Sequence, residues 1–169
     1  TNKCNDETNN NRFTVCYSHV LTGQVDVEFD DGETFYHVIE PGEQTIYNLT
    51  MNNSTPGPKD LVADSYGLNI TGVPTNWTAT LFFAENHTAI FPDTEIFLEG
   101  GEMIRFYLRV RAPSIYQANA DQLAEIRVDA KSYKDPAIRS EITTLTLMDV
   151  VHGIDLDASH SVADVEQGQ

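Results

Sequence analysis

The residues of this 169-residue chain that most clearly could undergo chemistry are asparagines in the N-glycosylation pattern Asn-X-Ser/Thr. The pattern occurs six times between residues 48 and 86, which is far denser than chance would give. The six asparagines are Asn48, Asn52, Asn53, Asn69, Asn76 and Asn86. Three of them, Asn48, Asn69 and Asn76, fall on the polar side of predicted strands, where a glycan would point into solvent. We therefore expect N-linked glycans on an extracellular chain. The alternative is an Asn- and Thr-rich strand surface without sugar.

The two cysteines, Cys4 and Cys16, are the next candidates for chemistry. They lie at equal distances on either side of a turn signal at residues 9–11, so a hairpin over residues 1–21 would place them opposite each other. In an extracellular chain this pair predicts a disulfide bond, and the alternative is two free thiols. A metal site is disfavoured because no further Cys or His lies at ligand spacing.

No pattern of residues in the chain is typical of an enzyme. The histidines are scattered, and none lies in a Ser/His/Asp or metal-binding arrangement. The acidic turn from Asp30 to Glu33 lacks the ligand spacing of an EF-hand, so we favour a solvated turn over a calcium site. We predict no catalytic residues, no cofactor and no bound metal.

The charge of the chain is strongly acidic. Its 26 Asp and Glu residues against 10 Lys and Arg residues give a formal net charge of −16. A nucleic-acid partner is excluded because phosphate binding needs a basic surface, and adhesion to an anionic membrane is disfavoured for the same reason. No apolar run approaches the roughly 18 residues of a membrane helix, so we predict no membrane span in this segment.

Short stretches in which apolar and polar residues alternate recur along the chain, and they predict the strands that position these groups. Gly, Pro and Asn turns separate the stretches, and no helical pattern of 10 or more residues occurs. The main stretches are residues 25–29, 35–39, 45–51, 66–71, 77–81, 96–98, 104–111, 125–131 and 142–147. Many short strands at this spacing predict an all-β sandwich.

Trp77, the single tryptophan, is the predicted anchor of the core. It opens the 77–81 stretch on the same side as Ala79 and Leu81, and a large aromatic side chain there suits the centre of a small β core. The stretch therefore predicts a strand that begins at Trp77 and buries its indole ring.

The 104–111 stretch carries three arginines on its polar side, which is notable in so acidic a chain. Arg105, Arg109 and Arg111 alternate with apolar residues that we expect to point inward. We favour charge pairing of these arginines with Asp and Glu on neighbouring strands over a ligand site. Tyr107, which lies among them, is the one strand aromatic that we expect to face outward.

Both ends of the chain resemble its interior. Residues 153–157 resemble residues 24–28, and residues 165–169 resemble residues 39–43. These matches predict a window from a tandem array, with residues 1–21 ending one unit, 22–150 forming the next and 151–169 opening a third. The alternatives are a single domain with unrelated terminal arms, or arms that serve in assembly.

Three segments of the full unit also resemble a known family. Residues 47–53, 66–79 and 98–113 follow, in order, a strand, an Asn-rich turn, Gly-hydrophobic-Pro-x-x-Trp, Gly-Glu, a strand and Pro. In these segments the chain is similar to the NEW3-type immunoglobulin-like repeat domains of secreted and archaeal cell-surface proteins. The resemblance covers residues 22–150. It implies an immunoglobulin-like β-sandwich of about seven strands, extracellular tandem use and no catalytic residues.

Together these observations predict a non-enzymatic, glycosylated unit of a cell-surface stalk, filament or surface layer. Its partners would be neighbouring repeats or identical subunits. An exposed edge strand at residues 25–29 or 154–156 would let subunits join by strand addition. The alternative function is an accessory module of a secreted hydrolase that binds carbohydrate or another partner. A row of exposed aromatic side chains on one sheet face would favour that alternative.

Overall fold

The computed structural model describes residues 24–30, 34–54, 62–92, 94–117 and 122–149. Within these ranges the chain is all-β, with no helix that is long and apolar enough to cross a membrane. The predicted immunoglobulin-like β-sandwich is confirmed. The predicted Cys4–Cys16 disulfide, the two terminal arms and their repeat matches lie outside the described residues.

Ten strands make up the described part of the fold, where the family resemblance implied about seven. The additional strands are short ones, of two to four residues, at or near the sheet edges. In chain order the strands are β1 (Asp26–Phe29), β2 (Tyr36–Ile39), β3 (Gln44–Asn52), β4 (Asp64–Thr71), β5 (Thr78–Phe83), β6 (Ala89–Ile90), β7 (Glu95–Leu98), β8 (Met103–Arg111), β9 (Gln122–Ser132) and β10 (Arg139–Met148).

The strands form two five-stranded sheets that enclose one core. The first sheet has the order β1-β3-β8-β5-β6 and is antiparallel throughout. The second has the order β2-β10-β9-β4-β7, in which β2 runs parallel to β10 and the other pairs are antiparallel. The chain passes between the sheets from β1 to β2 and again from β2 to β3, so both faces of the core are built from distant segments.

Alternate residues of the long strands point into the core, as the period-2 pattern predicts. The largest fully buried side chains are Tyr47, Tyr66 and Phe106. The Tyr47 hydroxyl donates to the Leu145 carbonyl at 2.8 Å, and the Tyr66 hydroxyl donates to the Gln24 carbonyl at 3.2 Å. Because both hydroxyls are hydrogen-bonded, the two tyrosines can lie among apolar neighbours at little cost.

Trp77 belongs to the core cluster and is 5% exposed, but it precedes its strand instead of opening it. β5 begins at Thr78, and the Trp77 N–H donates to the Pro74 carbonyl at 3.1 Å, which closes a turn. Asn76 lies in this turn with a φ of 68°. Asn76 is therefore a turn residue, and its assignment to the polar side of a strand was wrong.

Candidate functional site

Four of the six candidate glycosylation asparagines have exposed side chains. Asn48 lies on the outer face of β3 and Asn69 on the outer face of β4, whereas Asn76 and Asn86 lie in the turns on either side of β5. The Asn69 amide nitrogen has a long contact of 3.5 Å to a carboxylate oxygen of Asp129. Each sheet thus has one candidate site on its outer face, and a sugar at any of the four exposed positions would extend into solvent.

Asn86 lies in a turn that its own side chain helps to form. Its side-chain oxygen accepts a hydrogen bond from the Thr88 N–H at 2.9 Å, which forms a local turn within the Asn-His-Thr pattern. This bond holds the side chain by its oxygen. The amide nitrogen, to which a sugar would be attached, has no hydrogen-bond partner among the described residues.

Asn53 does not fit a glycosylation site in this fold. It is fully buried, and its amide nitrogen donates to the Val62 carbonyl at 2.8 Å and to the Leu98 carbonyl at 3.2 Å. A sugar on that nitrogen would replace one of these bonds and would have no room. The neighbouring Asn52, at the end of β3, is half-buried.

The outer face of the first sheet carries a group of aromatic and basic side chains that we call the ring cluster, formed by Phe82, His87, Tyr107 and Arg109. Phe82 and Tyr107 are direct partners across β5 and β8, and their rings stack with centroids 5.1 Å apart and planes 15° apart. The Tyr107 hydroxyl lies 3.2 Å from His87 Nδ1. The Arg109 guanidinium lies 4.3 Å from the centre of the Phe82 ring, which is a cation–π contact.

The ring cluster corrects the expectation that Tyr107 alone faces outward, because Phe82 shares its face. The sequence could have predicted this outward position, because Phe82 alternates with Thr78 and Thr80 on the same face of β5. Stacked rings turn their faces toward each other, so each ring offers at most one free face to a ligand. The cluster is therefore a closed stack and not the flat row of aromatics that carbohydrate binding would favour.

The three outward arginines of β8 are held mainly by groups other than carboxylates, contrary to our expectation. Arg105 has an acidic partner, with its Nε 4.0 Å from a carboxylate oxygen of Asp30. Arg109 packs on Phe82, and the Arg111 Nε donates to the Gly42 carbonyl at 3.2 Å. Within the described residues, neither of these two has a carboxylate within 4.0 Å.

The expected acidic turn is described only at Asp30, whose other carboxylate oxygen accepts the Thr50 hydroxyl at 2.9 Å. Residues 31–33 lie outside the described residues. In the part of the chain that the structure describes, no three His, Cys, Asp or Glu side chains are placed to hold a metal ion.

A buried carboxylate lies beneath the turn between β9 and β10. Asp64 is fully buried, and it accepts hydrogen bonds from the Ser132 hydroxyl at 2.9 Å and the Ser65 N–H at 2.7 Å. The Lys134 ammonium lies 3.6 Å from it. Burial of Tyr66, and secondarily the negative charge of Asp64, raise the pKa of the Tyr66 phenol well above its ordinary value. Because these contacts join β4 to β9 and the turn that follows, we interpret the network as structural.

A groove of about 350 Å³ lies on the outer face of the second sheet, above Gly67. Tyr133, Lys131, Asp129 and Asn69 line it, together with two prolines. A Cβ at Gly67 would lie 3.1 Å from the Tyr133 hydroxyl, so the tyrosine side chain extends over the glycine. One aromatic ring beside an ammonium, a carboxylate and an amide is a set of groups that can bind a polar ligand.

The edges of the two sheets determine where another chain could add a strand. β1 is an edge strand, but its Val27 N–H already donates to the Ser140 hydroxyl at 3.1 Å, which partly closes that edge. β2 lies at an edge of the second sheet, and Val38 within it is 52% exposed. Phe35 and Tyr36 are exposed beside it. The β2 edge is partly closed as well, because the Tyr36 N–H donates to the Thr34 hydroxyl at 3.2 Å, but it is the more apolar of the two.

Comparison with known proteins identifies similar folds. The chain is similar to a family 123 glycoside hydrolase from Clostridium perfringens that hydrolyses glycolipid glycans, with a TM-score of 0.50, 8% identity, and coverage of 77% of this chain and 28% of that one. It also matches a FixG-related protein from Vibrio parahaemolyticus (TM-score 0.47, 14% identity, 78% of this chain and 100% of that one). A third match is PapD-like domain 7 of human CEP192 (TM-score 0.42, 10% identity, coverage of 88% of this chain and 100% of that one). No family model and no curated protein matches the chain. At these identities the likeness extends to the β-sandwich fold alone.

Proposed function

We propose that this chain is a non-catalytic, N-glycosylated structural unit of an extracellular assembly, such as a cell-surface stalk, filament or surface layer. The observation that carries the proposal is the exposure of Asn48, Asn69, Asn76 and Asn86 on a sandwich whose core they do not enter. Sugars at these positions would leave every strand pairing intact. The sequence resemblance to NEW3-type repeats supports use in tandem.

In this role each sandwich adds a rigid length to the assembly. The glycans and the net charge of −16 keep neighbouring surfaces apart and hydrated, so contacts concentrate where charge is absent. The apolar β2 edge around Val38 is such a place, and neighbouring repeats or identical subunits are the partners that we propose for it. A Cys4–Cys16 disulfide would fit the same extracellular setting.

Labelling of intact source cells tests the location. Lys131 and Lys134 are both exposed, so a membrane-impermeant amine reagent should modify them on intact cells as fully as after lysis. Peptides that carry these lysines would be quantified by mass spectrometry, with a cytosolic protein as the control. Labelling that occurs only after lysis would contradict an extracellular unit.

The second candidate function is an accessory module that binds carbohydrate, and the groove above Gly67 is the observation that favours it. A glycan array probed with the chain would give a signal that Tyr133→Ala removes. Tyr116→Ala, at a tyrosine that is 96% exposed and lies outside the groove, would keep the signal. Absence of any array signal for the unmodified chain would remove this candidate.

A further inference from the structure

The turn between β5 and β6 brings an aromatic residue, a candidate glycosylation asparagine and its threonine to one end of a hairpin. The segment reads Phe83-Ala-Glu-Asn86-His-Thr88. The Phe83 N–H donates to the Thr88 carbonyl at 2.9 Å, and the His87 N–H donates to the Phe83 carbonyl at 3.0 Å. His87 has a φ of 56°, in the left-handed region, and the chain reverses there within four residues. Asn86 follows Phe83 by three positions in the sequence, and the turn brings the two residues close together in space.

The strand register determines which side of the hairpin each side chain occupies. Leu81 pairs with Ile90, and both are buried on the inner face, so two residues further on Thr88 lies opposite Phe83 on the same side. The His87 side chain instead contacts Tyr107 on the outer face. The Asn86 side-chain oxygen accepts a hydrogen bond from the N–H of Thr88, the residue whose carbonyl bonds to the Phe83 N–H.

Phe83 packs against the core but is not fully covered. A phenyl ring that is partly open to solvent, beside an exposed asparagine, leaves apolar surface that a further group could cover. A pyranose ring can do so, because its axial C–H bonds form an apolar face that packs on aromatic rings.

We propose that Asn86 carries a glycan whose first sugar packs its C–H face on Phe83, and that this contact stabilises the β5–β6 hairpin. The inference rests on the proposed function, because it requires a glycosylated chain. In the modification, the Asn86 amide nitrogen loses one proton and bonds to C1 of a sugar supplied by a pyrophosphate-linked donor. The pyrophosphate leaves with the electron pair of the bond that breaks.

Asn86 is not the only candidate asparagine with an aromatic residue three positions before it. It is the fold, and not this spacing, that distinguishes Asn86. Asn69 also follows an aromatic residue, Tyr66, by three positions. That pair lies in the extended strand β4, where Tyr66 is fully buried and Asn69 is on the opposite face. A sugar on Asn69 cannot reach the Tyr66 ring, so Asn69 is a matched control with the same spacing and no turn.

The test is a set of four full-length chains secreted from a eukaryotic host, in which the first sugar is N-acetylglucosamine. The chains are the unmodified protein, Asn86→Gln, Phe83→Leu and the double variant, all trimmed by an endoglycosidase to one sugar per site. Loss of the Asn86 sugar should raise the equilibrium constant for unfolding about fivefold when Phe83 is present, and less than about twofold in the Phe83→Leu background. The same four chains made without sugar in a bacterial host should show no such difference.

Asn69→Gln serves as the control and should have the same effect whether or not residue 83 is changed. An equal effect of Asn86→Gln in both backgrounds would overturn the inference. So would a bare Asn86 in a chain that carries sugar at Asn48, Asn69 or Asn76, and in that case the proposed function would stand. A chain with no sugar at any asparagine would overturn both.

Discussion

The Asn53 amide joins its own segment to Val62, 9 positions along the chain, and to Leu98, 45 positions along. Its nitrogen donates to the carbonyls of Val62 and Leu98 from a fully buried position. Replacing Asn53 with Ala would leave both carbonyls without this donor. We expect Asn53→Ala to lower the free energy of unfolding by about 2 kcal/mol or more, measured by denaturant unfolding of sugar-free protein. Asn69→Ala, at an exposed asparagine, should change it by less than about 0.5 kcal/mol. Equal effects would show that the Asn53 contacts do not stabilise the fold.

The Tyr66 phenol makes the stability of the folded state depend on pH in the alkaline range. Burial, aided by the charge of Asp64, raises its pKa in the folded state above the ordinary value of about 10. The contribution of Tyr66 to stability is therefore complete below about pH 10. It is lost as the pH rises further, because the unfolded chain then releases a proton that the folded chain keeps.

Tyr66→Phe should separate this effect from the titration of other groups. It removes the hydrogen bond to Gln24, so the free energy of unfolding should fall by about 1 kcal/mol at neutral pH. Above pH 10 the stability of the variant should decline less steeply than that of the unmodified chain, as followed by denaturant unfolding at stepped pH. Parallel declines would contradict the raised pKa.

At the scale of single residues, the sequence predicted exposure well where a strand pattern surrounded the residue and poorly elsewhere. Asn48 and Asn69 lie on polar faces as expected. Asn53 follows the end of β3 in a stretch that resembles a loop, and its burial depends on Leu98, 45 positions away. No local pattern contains such a contact. The outward position of Phe82 could have been predicted, since it continues the alternation of β5.

At the scale of secondary-structure elements, the turn that leads from β4 toward Trp77 requires a glycine. Gly72 has a φ of 79°, and a Cβ there would lie 2.4 Å from the Glu125 carbonyl oxygen. Gly42 has a similar φ of 83° but nothing within 4 Å of its Cβ position. Gly42→Ala should cost about 1 kcal/mol from backbone strain alone. Gly72→Ala should cost about 1–3 kcal/mol more because the main chain must also move. Equal losses in thermal or denaturant unfolding would contradict this close contact.

The apolar edge strand β2 carries the assembly part of the proposal. We expect the chain to associate through this edge at high concentration, and Val38→Lys to abolish the association by placing a charge on it. Sedimentation velocity over a range of concentrations would measure the effect. Val73→Lys changes another exposed valine, 38% exposed in a loop, and should leave association unchanged. If both variants associate as the unmodified chain does, β2 is not the contact.

Strands with several alternating residues, from β1 to β5 and from β7 to β10, were predicted close to their observed positions. β6 was missed because it has two residues and depends on the turn before it and on pairing with β5. The order of strands in the sheets, and the parallel pairing of β2 with β10, could not be predicted from periodicity. Periodicity determines which side of a strand is buried, whereas order is set by contacts between distant segments.

For the whole molecule, candidate sugar sites lie on both outer faces of an acidic sandwich. This distribution supports a unit that is kept apart from its surroundings over most of its surface and joined to others at restricted edges. The proposal therefore depends on whether the exposed asparagines carry sugar.

The most direct measurement is the intact mass of the natural protein before and after an amidase that removes N-glycans and converts each occupied Asn to Asp, with peptide mapping of the conversions. We predict a mass that falls on treatment, with conversion at Asn48, Asn69, Asn76 and Asn86 and none at Asn53. A mass that does not change on treatment, with no converted asparagine, would contradict the account.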